Sequence, residues 1–146
     1  MADVQKLSIP DLAAMKKEGK KISMITAYSY PQALLVDEAG IDIILVGDSL
    51  GMVELGYNGT TPVTMDEMLN HTKPVMRAVK RCHVVGDMPF MSYNISKEQA
   101  ITNAGILYKD GGCDSIKLEG GQDFAPTVEA IVKAGIPVFG HIGLTP

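Results

Sequence analysis

The sequence has 146 residues, 46% of them hydrophobic and 21% charged, a composition typical of one globular domain with a sizeable core. The formal net charge of −4 excludes a strongly basic surface and argues against nucleic-acid binding. No apolar run reaches the roughly 18 residues of a membrane span, and residues 1–6 lack the hydrophobic region of a signal peptide. We therefore expect a cytoplasmic protein without a membrane partner, with Cys82 and Cys113 as free thiols.

Short β-rich apolar runs alternate along the chain with amphipathic stretches that have helix-capping signals. Ser8 with Asp11, and Thr64 with Glu67, have capping-box spacing. The predicted elements are a helix over Ser8–Lys20, a strand over Ile22–Thr26, a helix from Pro31 to Gly40, a strand over Ile43–Val46, a Gly-rich loop over Gly47–Pro62, a helix from Thr64 to about Arg81, a strand over His83–Gly86, a helix from Ser96 to Gly111, a strand over Ser115–Leu118, a helix from Pro126 to Gly135 and a strand over Ile136–Phe139.

This alternation predicts an α/β fold with a parallel sheet, either a doubly wound open sheet or a (β/α)8 barrel. Polar residues at four successive strand ends favour the barrel, because a barrel gathers such ends around one mouth. They are Asp48, Asp87, Glu119 and His141. A complete barrel takes about 250 residues. We therefore expect residues 1–146 to form a single domain, the N-terminal portion of a (β/α)8 TIM barrel, here truncated after about the fifth strand.

The three carboxylates at consecutive strand ends are the main chemical signal. Oxygen ligands of this kind suit Mg2+, although each aspartate could instead cap the loop or helix that follows it. Lys117 precedes Glu119 by two residues, so both point to the same side of their strand, where a buried lysine needs an anionic partner. Ser49 lies in a glycine-flanked turn suited to anion binding. The residues alone do not decide whether His141 has a structural or a functional role.

Six segments together carry a family resemblance that covers essentially the whole chain. They are Thr26–Tyr28, Val46–Gly51, Thr61–Thr64, Asp87–Tyr93, Ile116–Gly121 and Gly140–Pro146. In this order and spacing the sequence resembles the ketopantoate hydroxymethyltransferase (3-methyl-2-oxobutanoate hydroxymethyltransferase) family. That family is a (β/α)8 barrel related to the phosphoenolpyruvate mutase and isocitrate lyase superfamily. The resemblance implies an enzyme of pantothenate, and hence coenzyme A, biosynthesis.

The implied reaction transfers a hydroxymethyl group from 5,10-methylenetetrahydrofolate to 3-methyl-2-oxobutanoate, giving 2-dehydropantoate through an enolate stabilised by Mg2+. The matching positions assign Asp48, Asp87 and Glu119 to the metal site. They assign Asp48, Ser49, Asp87 and Lys117 to the keto acid, and place His141 at the same mouth with a loosely held catalytic role. The family's general base is a glutamate on a later strand, beyond residue 146. The resemblance also implies a homo-oligomer.

Two departures and two alternatives accompany the resemblance. Ser29 stands where the family usually has an aspartate, and the strand that would carry the general base is absent from the sequence.

The alternatives are another metal-dependent, enolate-forming lyase or mutase of the same superfamily, and a non-catalytic half-barrel that needs a complementary chain. In either case the first and fifth strands would have unpaired edges and exposed apolar side chains, which favour association with the missing barrel segment.

Overall fold

A computed structural model of the protein describes residues 5–145, so Met1 to Val4 and Pro146, the last residue of the Gly140–Pro146 segment, lie outside the described part. Its sheet has five strands in the order β1-β2-β3-β4-β5, all parallel. The elements in chain order are α1 (Ile9–Lys17), β1 (Met24–Thr26), α2 (Tyr30–Glu38), β2 (Ile43–Val46), α3 (Leu50–Val53), α4 (Met65–Ala78), β3 (His83–Asp87), α5 (Lys97–Gly105), a π-helix (Ile106–Gly111), β4 (Ser115–Glu119), a 3₁₀ turn (Gln122–Phe124), α6 (Ala125–Lys133) and β5 (Val138–His141).

The predicted alternation of strands and helices is confirmed, and the differences lie at element boundaries. Both predicted capping boxes form, at Ser8 and at Thr64. Helix α4 ends three residues earlier than predicted, because Val79 has extended backbone angles. The predicted loop after β2 contains the short helix α3. Strands β3 and β4 each extend one residue further than predicted, so Asp87 and Glu119 are the last residues of their strands.

The two faces of the sheet carry different side chains at the carboxyl ends of the strands. Successive strand residues point to opposite faces, and parallel register partners share a face. One face packs against the helices and forms the core; its strand members include Ile44, Val46, Val84, Ile116 and Leu118, and its helical members include Met68, Val75, Ala104 and Ile131. The other face carries Asp87 and Lys117, which are register partners in β3 and β4. The fold therefore brings these polar side chains together away from the core.

Among residues 5–145, strands β1 and β5 each pair with one neighbour only, as predicted for the first and last strands. Their apolar side chains are correspondingly open: Met24 is 38% exposed, Ile25 48% and Phe139 38%. Beyond β5, Ile142 and Leu144 are almost fully exposed. This five-stranded sheet with parallel strands in sequential order is part of a barrel, with one open edge at either side.

A hydrogen-bonded network fastens the amino ends of the strands. The Asp37 carboxylate accepts the backbone N–H groups of Lys80, Arg81 and Cys82 at 2.7–3.3 Å. Asp42 accepts the N–H and hydroxyl of Ser23 and a 2.8 Å ion pair from Arg81. Burial opposes ionisation at both sites, yet these donors hold the pKa of Asp37 and that of Asp42 below the ordinary value.

Within residues 5–145, every helix is too short or too polar to cross a lipid bilayer.

Candidate active site at the carboxyl ends of the strands

A buried lysine joins two carboxylates at the carboxyl ends of β3 and β4. Nζ of Lys117 lies 2.7 Å from Oδ2 of Asp87 and 3.1 Å from Oε1 of Glu119. The Lys117 and Asp87 side chains are 7% and 1% exposed, so this cluster is almost completely removed from water. The period of two along β4 puts Lys117 and Glu119 on one side, and the register with β3 puts Asp87 opposite Lys117. The anionic partner predicted for Lys117 is therefore present.

The turn after β2 brings two more predicted residues to the same place. The backbone N–H of Asp48 donates to Oδ2 of Asp87 over 3.1 Å, which fixes the turn against the cluster. Asp48 and Ser49 are partly buried. Gly51 allows the turn to pack closely, because a Cβ there would lie 2.5 Å from Cγ2 of Val63. Four of the sequence-predicted residues, Asp48, Ser49, Asp87 and Lys117, thus lie at one edge of the sheet with Glu119.

The electrostatics of the cluster differ from those of a surface ion pair. Burial raises the pKa of Asp87 to about 7, with Lys117 opposing the shift and Asp48 adding to it. Burial likewise raises the pKa of Asp48. Burial alone would lower the pKa of Lys117, but the carboxylates of Asp87 and Glu119 outweigh it and that pKa is raised. Two neighbouring aspartates with raised pKa values beside a buried lysine are typical of a functional site.

Two carboxylate oxygens of the cluster remain without a partner. Oδ1 of Asp87 and Oε2 of Glu119 are buried and accept no hydrogen bond from the described residues. A buried, unsatisfied oxygen costs about 1–3 kcal/mol, so such atoms point to a missing ligand. Hard carboxylate oxygens suit Mg2+, which completes its coordination with water and substrate oxygens. Across residues 5–145, no three His, Cys, Asp or Glu side chains form a ready-made metal centre, so the three-carboxylate ligand set stays a prediction.

Tyr28, at the end of the Thr26–Tyr28 segment, contacts the candidate site. Its hydroxyl lies 2.9 Å from Oγ of Ser49, and its backbone carbonyl lies 2.7 Å from Nδ1 of His71. The N–H of Tyr28 donates to Gln32 over 2.8 Å. These contacts hold the buried tyrosine ring so that its hydroxyl orients the hydroxyl of Ser49. His71 carries no local signal of this role, because it contacts a residue 43 positions away in the sequence.

His141 lies on β5 as the register partner of Glu119. Its Nε2 is 2.9 Å from the carbonyl oxygen of Leu144, and this is the hydrogen bond that its side chain makes within the described residues. The structure thus places His141 beside the carboxylates on the sheet, with its ring engaged by the following loop. Its catalytic role stays a prediction. Ser29, the departure from the family pattern, precedes α2 and makes no side-chain capping bond there.

The parallel sheet defines an α/β protein of the TIM-barrel class, and its carboxyl-end cluster is a candidate site at the barrel mouth. Solved structures agree on this fold. A phosphoenolpyruvate phosphomutase from Streptomyces platensis subsp. rosaceus matches with a TM-score of 0.70 at 18% identity, over 92% of this chain and 53% of its own. A phosphonopyruvate hydrolase solved with oxalate and Mg2+ matches with a TM-score of 0.72 at 14% identity, over 88% of this chain and 50% of its own.

The sequence comparisons identify the family. The profile described as ketopantoate hydroxymethyltransferase matches residues 6–146. The 3-methyl-2-oxobutanoate hydroxymethyltransferase of Moorella thermoacetica is 60% identical over 100% of this chain and 54% of its own length. That of Heliobacterium modesticaldum is 61% identical over 97% of this chain and 51% of its own. This chain belongs to the ketopantoate hydroxymethyltransferase family, a family of transferases. It spans about half the length of these curated relatives.

Proposed function

We propose that the protein transfers a hydroxymethyl group from 5,10-methylenetetrahydrofolate to 3-methyl-2-oxobutanoate and so forms 2-dehydropantoate for pantothenate synthesis. The observation that carries this proposal is the buried Lys117 between Asp87 and Glu119, with two carboxylate oxygens left unpaired. The reaction is inferred from family membership, and the cluster is the proposed binding site for the α-keto acid. The carboxylate of a keto acid can pair with a cationic side chain, and its keto and carboxylate oxygens can bind a metal ion.

The residues that would hold Mg2+ are Asp48, Asp87 and Glu119. When bound, Mg2+ would polarise the keto group and so acidify the neighbouring C3 hydrogen. The unpaired oxygens of Asp87 and Glu119 fit this role, since both are buried and lack a donor. The phosphonopyruvate hydrolase of similar fold was solved as a complex with oxalate and Mg2+, and that complex supports the same pairing of a small carboxylate ligand and this metal.

The remaining residues would bind and orient the keto acid. The Lys117 ammonium provides positive charge for the substrate carboxylate, in a buried place where a charge-assisted hydrogen bond is strong. The hydroxyl of Ser49 would donate to the same carboxylate, held in position by the 2.9 Å contact with the Tyr28 hydroxyl. Asp48 would close the site from the turn after β2. The general base belongs to the part of the family's barrel outside this chain.

The same proposal leads to expectations about the location and the assembly of the enzyme. We expect a cytoplasmic homo-oligomer in which further barrel strands cover the open edges of β1 and β5. The exposed apolar side chains of both strands support this expectation, because exposed edges with apolar side chains favour pairing with further strands. Nucleic acid and membrane are not expected partners.

The test is binding of 3-methyl-2-oxobutanoate by calorimetry, with and without Mg2+, in the wild-type protein and in Asp87→Ala. We expect magnesium-dependent binding in the wild type and none in the variant. Asp110→Ala, which changes an exposed aspartate, serves as the matched control and should bind normally. Unchanged magnesium-dependent binding in Asp87→Ala would remove Asp87 from the site, and formation of 2-dehydropantoate by a protein that spans the whole barrel checks the reaction itself.

A further inference from the structure

A cleft of about 310 Å3 opens at the barrel mouth directly beside Glu119. Loops that follow three successive strands form its walls. The loop after β3 contributes Phe90, Tyr93 and Asn94, the loop after β4 contributes Asp123 and Phe124, and Thr145 follows β5. Its volume is at the lower end of the range for small-molecule sites, enough for one ring system rather than a whole large cofactor. The keto-acid site leaves this cleft unused.

The cleft has aromatic walls held in fixed positions. The rings of Tyr93 and Phe124 meet edge to face, with centroids 5.4 Å apart at an angle of 74°. The Tyr93 ring is buried, and its hydroxyl oxygen lies 3.3 Å from the backbone nitrogen of Glu119, which donates to it. Gly120 has a φ of 121°, and a Cβ there would collide with the Phe124 ring, so this glycine permits the close packing. Phe90 is 41% exposed and leaves its ring free to stack on a ligand.

Polar groups stand at the open side of the cleft. Asp123 is exposed and makes no salt bridge with the described residues. The Asn94 side-chain oxygen accepts the N–H of Met91 over 2.8 Å, which orients the amide. Its amide nitrogen has no hydrogen-bond acceptor among residues 5–145. An exposed carboxylate and a free amide donor beside flat apolar walls suit a planar heterocycle with hydrogen-bonding edges.

We infer that this cleft binds the pterin ring of the folate donor, an inference that rests on the function proposed above. A pterin is flat and bicyclic, so the exposed ring of Phe90 can stack on it, with the packed Tyr93–Phe124 pair forming the wall behind. Its amino group and ring N–H form two parallel donors that match the Asp123 carboxylate, and its carbonyl oxygen matches the Asn94 amide. Glu119 lines the cleft and also contacts Lys117. A ring bound here would therefore lie next to the keto acid that receives its one-carbon unit.

The test uses the full-length protein and 5-formyltetrahydrofolate as a stable probe, with its dissociation constant measured by calorimetry. Phe90→Ala should weaken probe binding about tenfold, the effect of losing one aromatic stacking partner. Asp123→Asn keeps the side-chain shape, removes its charge and should also weaken binding about tenfold. Ile95→Ala, in the same loop but outside the cleft, and Glu129→Gln, on the exposed face of α6, are matched controls that should bind within about twofold.

Magnesium-dependent binding of 3-methyl-2-oxobutanoate is measured in the same variants and should not change, because Phe90 and Asp123 lie outside the keto-acid contacts. Loss of probe binding with normal keto-acid binding is the expected result. Unchanged probe binding in both variants would overturn the cleft assignment and leave the proposed reaction intact. A wild-type protein that binds the keto acid but not the probe would instead overturn the folate donor, and this inference with it.

Discussion

At the amino ends of the strands, Asp37 and Asp42 accept backbone and guanidinium donors, and the pKa of each is lowered. At the carboxyl ends, burial raises the pKa of Asp48 and of Asp87, and one oxygen of Asp87 has no donor. The same residue type is thus stabilised as an anion at one end of the sheet and penalised as an anion at the other. Satisfied carboxylates hold the fold together, whereas unsatisfied ones are available to a ligand.

The largest expected effect comes from removing the carboxyl-end pair. We predict that Asp87→Asn with Lys117→Met abolishes magnesium-dependent keto-acid binding, a loss of more than about 100-fold, since two proposed contacts disappear. The free energy of unfolding should fall by no more than about 3 kcal/mol, because the loss of the Asp87–Lys117 pair relieves its desolvation cost while the Glu119 carboxylate loses its cation. Calorimetry and urea denaturation measure the two quantities.

The matched control for that variant is Asp110→Asn with Lys109→Met, which makes the same chemical changes at exposed positions. It should preserve both binding and stability. If the Asp87 and Lys117 double variant instead unfolds several kcal/mol more easily while still binding the keto acid, the carboxyl-end cluster is a stabilising network and the contrast between the two ends fails.

At the amino end the expected effect is on stability alone. Asp37→Ala should lower the free energy of unfolding by about 2 kcal/mol, because three backbone N–H groups lose their common acceptor. Keto-acid binding by the folded protein should not change. Glu38→Ala, at the exposed neighbouring position, is the control and should remain within about 0.5 kcal/mol. A binding defect in Asp37→Ala that persists under conditions where the variant is folded would contradict this division of roles.

The smallest effect concerns pH. The folded-state pKa of Asp42 is lowered, although burial opposes the shift, by donors that include Ser23 and Arg81. Its stabilising contribution is therefore complete above its unfolded pKa near 4 and is lost as the pH falls through the lower folded value. We expect Asp42→Asn to flatten the decline in unfolding free energy below about pH 4, by no more than about 1 kcal/mol. Denaturation at several pH values checks this, and an equally steep decline in the variant would refute it.

Much of this arrangement was predictable from residue periodicity. The two-residue spacing of Lys117 and Glu119 predicted a shared face, and strand-end positions predicted that Asp48 and Asp87 would approach each other. The contact of Tyr28 with Ser49 was not predictable, because it depends on how two loops pack across 21 residues of sequence. The edge-to-face pair of Tyr93 and Phe124 likewise depends on the backbone of Gly120, which no periodic pattern reveals.

The π-helix over Ile106–Gly111 was also missed, for a different reason. The sequence there is typical of a continuation of α5, and helix propensity does not distinguish an α-helical turn from a wider one. The wider turn places Leu107 in the core and brings Gly111 against Thr72 of α4, where a Cβ would lie 3.2 Å from that threonine's methyl group. Tertiary packing between neighbouring helices therefore determined a local feature that the local sequence left open.

The sequential strand order has a consequence for how the chain can fold. Each strand pairs with the strand that precedes it in the sequence, and a connection containing one or two helices joins the two members of each pair. Closing these connections costs less entropy than joining segments from opposite ends of the chain, so pairing in sequential order is the least costly order for this sheet. During synthesis, β2 can pair with β1 as soon as it emerges, and each later strand finds its partner already in place. Assembly can therefore proceed strand by strand in the order of translation.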